Sequence, residues 1–309
     1  MNKKLEKIYR MSQKELKGYL TNYLKTKYNE VTEMDGFVYA EGTFPVLLVA
    51  HLDTVHKEQV KQIVYEDNGN KISSPQGIGG DDRNGVYMLM RIIKKYNCHV
   101  LFTEDEEIGC IGAGKYVKAL NDGYVPVPDV NYIIELDRKG SKDAVFYECD
   151  NQDFEDFILD GGDWKLDYGT YTDIVEVAPA IGVAAVNFSA AYYNAHTDKE
   201  YTLLNEMEAN IEKVKRLLER TTADDKFEYI EADNRYYNYY NGRGYSWGFD
   251  DDYYAEKGYY ILAEYGRGNY IECEVFASSK VEAVGKFLIE NSNVRYNDIL
   301  EILEEKDYR

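Results

Sequence analysis

The sequence predicts an α/β protein: a mixed, mostly parallel sheet flanked by helices, followed by a small C-terminal α/β unit. Three observations lead there. Short apolar runs such as Val46-Leu47-Leu48-Val49 read as buried strands. Between about residues 35 and 220 such runs alternate with segments of helical apolar spacing, the pattern of crossover-connected strands with helices on both faces. Residues of metal-binding type stand where strands give way to loops, the edge at which open α/β sheets carry their chemistry.

Taken in order, a first helix is expected over 12–25, with Ser12 as N-cap and Glu15 at the capping-box position. Strands follow over 38–40 and 46–49, joined through Gly42 and Pro45. Residues 60–66 and 71–73 read as a hairpin turning at Asn68-Gly69. The Gly-rich turn Gly77-Ile78-Gly79-Gly80-Asp81-Asp82-Arg83-Asn84-Gly85 then feeds a helix over 84–96, with Val86, Leu89, Met90 and Ile93 as its core stripe. A strand over 99–103 runs into Glu104-Asp105-Glu106-Glu107, and a helix over 111–120 follows. Strands are expected over 132–135, 144–148 and 181–188, and helices over 152–159 and 204–218. The polar break Thr221-Thr222-Ala223-Asp224 divides a catalytic-type domain, 1–224, from residues 225–309. Within the latter, the acidic, Tyr-rich stretch 227–268 shows little regular pattern, apart from a strand drawn from 259–263. A strand over 270–276 and helices over 278–290 and 296–305 complete the small unit.

Composition narrows the function. The 309 residues carry a formal net charge of −20, which argues against nucleic acid and anionic membrane surfaces, since both are bound through Lys and Arg. No run approaches the length of a membrane span, and the first ten residues contain no apolar secretory core. Cys98, Cys110, Cys149 and Cys273 stand far apart with no CxxC pair, so neither a thiolate zinc ribbon nor a disulfide scaffold is expected, and reducing cytoplasm is the expected compartment.

Five strand ends or turns carry ligand-type residues: His51, Asp81, Glu106-Glu107, Asp137 and His196. The chain has four histidines in all, so two of them falling among these positions outweighs any single match. Two imidazoles and three carboxylates, one of them bridging, suit two divalent ions about 3.5–4 Å apart. Nitrogen and oxygen donors without thiolate favour Zn, with Co or Mn as alternatives. Adjacent Glu106 and Glu107 suggest a division of labour, one binding metal and the other serving as general base. Asp53, two residues after His51, is placed to take its second ring N–H and orient it. His56 and His99 read as structural. Arg83 and Arg138 read mainly as neutralising local acidic charge, with binding of a substrate carboxylate as the alternative for each, Arg138 foremost.

These residues carry a family resemblance. His51-Leu52-Asp53-Thr54-Val55, Gly80-Asp81-Asp82-Arg83-Asn84-Gly85, Glu106-Glu107-Ile108-Gly109, Leu136-Asp137 and His196 occur in the order found in the co-catalytic dinuclear zinc exopeptidases. That superfamily includes peptidase T, glutamate carboxypeptidase and the bacterial leucyl aminopeptidases. The resemblance spans about residues 35–220. It implies that Asp81 bridges two ions, that His51 and Asp137 complete one site and that Glu107 and His196 complete the other. It further implies Glu106 as general base, Asp53 as the residue orienting His51, and a cis peptide at Asp81-Asp82. Asp137 and His196 are only 59 positions apart (196 − 137), too few for the lid domain of peptidase T-like relatives, so a lidless variant is expected. An oxyanion-stabilising residue must then come from elsewhere, and Tyr171 and the pair Tyr192-Tyr193, Tyr193 foremost, are candidates. With 31 tyrosines in the chain, residue type alone does not single one out.

The expected function is hydrolysis of peptides by an aminopeptidase or a di/tripeptidase. An N-acyl amino-acid deacylase or other amidohydrolase would use the same site, with an N-acyl amino acid as substrate. A catalytically idle scaffold, binding a partner protein through its Tyr-rich segment, is the rival of another class.

Overall fold

The computed structural model describes residues 3–169, 171–232, 257–265, 269–277, 283–284, 286–288, 291, 294 and 299–304. The chain opens with helices α1 (Lys3–Arg10) and α2 (Gln13–Leu24). Ser12 caps α2 as its spacing requires: its hydroxyl accepts from the Glu15 N–H, and the Glu15 side chain accepts from the Ser12 N–H. Strands β1 (Val31–Met34), β2 (Phe37–Ala40) and β3 (Phe44–His51) follow, then the hairpin β4 (Val64–Glu66) and β5 (Lys71–Ser73). Asn68 and Gly69 both have positive φ at its turn, as an Asn-Gly hairpin demands. Next come α3 (Gly80–Ile92), β6 (Cys98–Thr103), α4 (Ile111–Asn121), β7 (Tyr132–Arg138), β8 (Asp143–Val145), α5 (Gln152–Leu159) and β9 (Lys165–Leu166). Helix α6 (Asp173–Ile181), β10 (Ala185–Ser189), β11 (Tyr192–Tyr193), β12 (Tyr201–Leu203) and α7 (Leu204–Arg220) lead to the C-terminal strands β13 (Lys257–Tyr265), β14 (Asn269–Ala277) and β15 (Ile299–Glu304).

Contacts divide the chain into two units. The larger comprises Met1–Glu106, Cys110–Gly169 and Asp173–Glu231; the smaller comprises Glu107–Gly109, Thr170–Thr172 and Ala232–Arg309. The larger unit is built on an eight-stranded sheet in the order β1-β2-β6-β3-β7-β10-β8-β9. Its middle is parallel: β3 pairs with β6 and β7, and β7 with β10. The β1–β2, β2–β6 and β10–β8 pairs are antiparallel. This is the mixed, mostly parallel sheet expected. Residues 46–51 of β3 and all of β6 are buried, which is why 46–50 and 100–102 are apolar without alternation. A second sheet, β11-β12-β5-β4, lies in the same unit. Between Asp137 and His196 the described residues form β8 to β11, α5 and α6, and β8, β9 and β10 belong to the main sheet.

Helix α3 is buried along nearly all its length and packs on β3 and β7. Gly85 permits that approach, since a Cβ there would run into the Leu136 carbonyl oxygen and the Asp82 carboxylate. Gly85→Ala is therefore expected to lower stability by about 1–3 kcal/mol. Thermal unfolding checks this, and an unchanged midpoint would show slack between helix and strand.

Several expectations are corrected. Residues 299–304 form β15, an edge strand antiparallel to β13, rather than part of a helix over 296–305. Apolar residues at 299, 300, 302 and 303 fit a helical stripe, but pairing Ile302 against Ile261 packs Ile299 and Ile302 against the small unit's core and leaves Leu300 exposed. The strand expected over 181–188 occupies Ala185–Ser189; Ile181 instead ends α6, which contains Pro179, and Val183 forms an isolated bridge with Glu228. The strand expected over 60–66 shortens to β4, and that over 144–148 becomes β8. Helix α1 and strand β1 were not anticipated. In the smaller unit, β14-β13-β15 form an antiparallel sheet with Tyr259, Ile261, Val275 and Phe287 in its core. Of the helix expected over 278–290, residues 283–284 and 286–288 are helical and the rest lies outside the described residues. No cysteine forms a disulfide. Among the described residues, no helix is long and apolar enough to cross a membrane.

Candidate metal centre

The carboxyl ends of three neighbouring parallel strands meet here. His51 is the last residue of β3 and stands in register with Thr103 at the end of β6. Asp137 lies near the end of β7. Asp81 comes from the kinked start of α3, where the Asp81-Asp82 peptide is cis. His196 lies in the loop between β11 and β12, with φ of 63°, a left-handed conformation uncommon for a non-glycine residue.

The Asp81 carboxylate stands between the two histidines. Its Oδ1 lies 3.2 Å from His51 Nε2, and its Oδ2 lies 3.2 Å from His196 Nε2. Asp137 Oδ1 is 3.5 Å from the same His51 nitrogen, and Glu106 Oε2 is 3.9 Å from it. His51, Asp81 and Asp137 each offer an atom within 4.8 Å of the others, and so do Asp81, Glu107 and His196. A third such group joins His51, Glu106 and Glu107. Donors about 2.0–2.2 Å from a tetrahedral ion stand roughly 3.3–3.6 Å apart, so these spacings fit oxygen and nitrogen ligands around divalent cations.

Asp53 links His51 and Glu106. Its Oδ1 lies 3.2 Å from His51 Nδ1 and accepts the Glu106 backbone N–H at 3.0 Å. The Glu106 side chain in turn accepts the Cys110 thiol at 3.6 Å. Asp137 is held by Asn187, whose Oδ1 accepts its N–H at 2.8 Å, and by the Tyr192 hydroxyl, which donates to Oδ1 at 3.3 Å.

The electrostatics fit the same donor set. Burial pulls the His51 pKa down, but Asp137, Asp53 and Asp81 outweigh it and hold the ring well above the usual histidine value. Asp137 is pushed up to about 7, first by burial and then by the Asp81 charge. Burial would raise Asp81 too, yet its hydrogen bonds to His196 and His51 hold it well below the usual carboxylate range. Protons thus bind where clustered carboxylates would otherwise repel, and a cation displaces protons from such a set.

The other candidates are placed as follows. Arg138 Nη2 donates to Asp167 at 2.9 Å and to the Tyr168 carbonyl at 2.8 Å. Tyr193 donates its hydroxyl to Glu206 and stacks on Tyr201, while its neighbour Tyr192 contacts Asp137. Tyr171 is half-buried just before α6. His99 accepts or donates at 2.8 Å with the Tyr39 hydroxyl, a structural role as expected.

Of the candidate pair Tyr192-Tyr193, it is Tyr192 whose hydroxyl reaches Asp137. Two further residues were missed. Asp173, fully buried and bonded to the Thr103 hydroxyl, is pushed up to about 6, mainly by burial; the helix it opens was itself not anticipated. Glu200, fully buried, sits in a charged loop sequence that reads as solvated surface.

No family model matches the sequence, and no curated protein matches it. Its structure is similar to that of the aminopeptidase PepT from Bacillus cereus, with a TM-score of 0.54 and 14% identity over 70% of this chain and 96% of that one. An aminopeptidase from the archaeon Desulfurococcus kamchatkensis gives 0.53 and 14%, over 71% and 94%. A tripeptidase from Staphylococcus aureus gives 0.52 and 12%, over 70% and 97%. At these identities the likeness is one of fold, shared with these aminopeptidases and this tripeptidase.

Proposed function

We propose that the chain is a metal-dependent peptidase, an aminopeptidase or a di/tripeptidase, that works with two divalent cations, most favourably Zn. The observation that carries this reading is the Asp81 carboxylate, which presents one oxygen to each histidine. His51 and Asp137 would hold one ion and Glu107 and His196 the other, with Asp81 shared. When bound, such ions supply Lewis acidity toward a carbonyl and toward water.

The chain's own residues supply the rest. Asp53 fixes the His51 ring through Nδ1, so that Nε2 faces Asp81 and Asp137. Glu106 is buried and its carboxylate reaches to within 3.9 Å of His51 Nε2. It takes a proton from the attacking water and returns it to the departing amine, so that one residue serves as base and then as acid. Burial around the carboxylates excludes bulk water and strengthens these interactions.

Metal analysis beside a substrate panel tests the proposal. Close to two divalent ions per chain and hydrolysis of short peptides are expected. Cleavage confined to N-acyl amino acids would move the assignment to a deacylase. Two ions with no hydrolysis of either class would favour the idle scaffold.

A further inference from the structure

We infer that Glu200 is the positioning residue of this metal centre, holding the Asp81 main chain so that its carboxylate faces both histidines; the inference rests on the two-cation reading above.

Glu200 lies just before β12, and its side chain is fully buried. Both of its oxygens are engaged. Oε1 accepts the Asp81 backbone N–H at 3.0 Å. Oε2 accepts the Gly79 backbone N–H at 2.9 Å and lies 2.6 Å from His56 Nε2. One carboxylate therefore ties together two segments more than a hundred residues earlier in the chain: the turn that delivers Asp81, and the loop that leaves β3 after His51. The turn is pressed against its surroundings. Gly79 has φ of 64°, which glycine adopts without steric cost. A Cβ at Gly80 would lie 2.8 Å from Tyr192 Cβ and 2.9 Å from Thr202 Oγ1, and one at Gly77 would strike the His56 ring.

The chemistry calls for a carboxylate. Two backbone donors and a ring nitrogen converge on it, and an ionised carboxyl group offers only acceptors. An amide of the same shape would turn an NH2 toward one of those partners. Asp81 has one oxygen for each histidine, so displacement of its main chain disturbs both cation sites at once. Groups that orient metal ligands typically change metal affinity about 10- to 100-fold when removed.

The test uses the full chain, stripped of metal and titrated with Zn²⁺ against a chromophoric chelator, then with Co²⁺ while its visible absorption is followed. Glu200→Gln preserves shape, and Glu200→Ala removes all three acceptor contacts. Far-UV circular dichroism of the metal-free proteins checks that they fold. The expected result is a folded Gln variant that binds both ions about 10- to 100-fold more weakly, with a changed Co²⁺ spectrum, and weaker binding still in the Ala variant. Variants that bind two ions with wild-type affinity and spectrum overturn the role of Glu200 and leave the two-cation reading standing. A wild-type chain that binds no ions overturns both. A Gln variant that does not fold assigns Glu200 to folding and overturns its role in positioning.

Discussion

Glu106→Gln is expected to keep the cations and lose turnover by about 10²- to 10⁴-fold, the usual contribution of a positioned general base. The substitution leaves the shape of a buried side chain nearly unchanged and removes only its ability to accept and return a proton. The two donor groups built around Asp81 contain Glu107 and not Glu106, so two ions per chain should remain. The measurement is kcat on a cleaved peptide, paired with metal content on the same sample. Glu106 also falls in a group with His51 and Glu107, which makes the metal content informative: loss of an ion would identify Glu106 as a ligand. Undiminished activity would remove it from the chemistry altogether.

Asp81→Ala is expected to remove both cations and, with them, the stabilisation that they confer. An ion at 100 times its dissociation constant stabilises the folded state by about 2.7 kcal/mol per site. Two sites together give about 5.4 kcal/mol, which for a unit of this size corresponds to a rise in melting temperature of roughly 10–20 °C. Wild-type protein should lose that increment when a chelator is added, whereas the variant should melt at the same temperature with and without chelator. Alanine is the informative choice, since asparagine would retain one carbonyl oxygen toward one of the histidines. A metal-dependent rise of wild-type size in Asp81→Ala would sink the shared role of this carboxylate.

Much of the fold could be read because its central strands are buried on both faces. Val46 to Val49 must be apolar without interruption, and that pattern ends abruptly at His51. The α2 cap was legible because Ser12 and Glu15 bond each other locally. Elements decided by distant partners were not legible. Residues 299–304 satisfy a helical stripe as well as a strand, and only pairing with β13 selects the strand. The ligand-type residues were visible because they interrupt buried elements. Glu200 interrupts nothing: its place is defined by N–H groups of Gly79 and Asp81, more than a hundred residues away, and the sequence carries no local trace of that meeting.

Asp53 has a consequence for how the site can change. A single oxygen receives both the His51 ring and the Glu106 backbone, so the proposed ligand and the proposed proton carrier are mounted on one bracket. Neither can be shifted to suit a new substrate without carrying the other along. Variation in specificity is thereby directed away from this corner, to side chains that meet the substrate without touching Asp53, and the catalytic geometry is preserved while the pocket around it diverges.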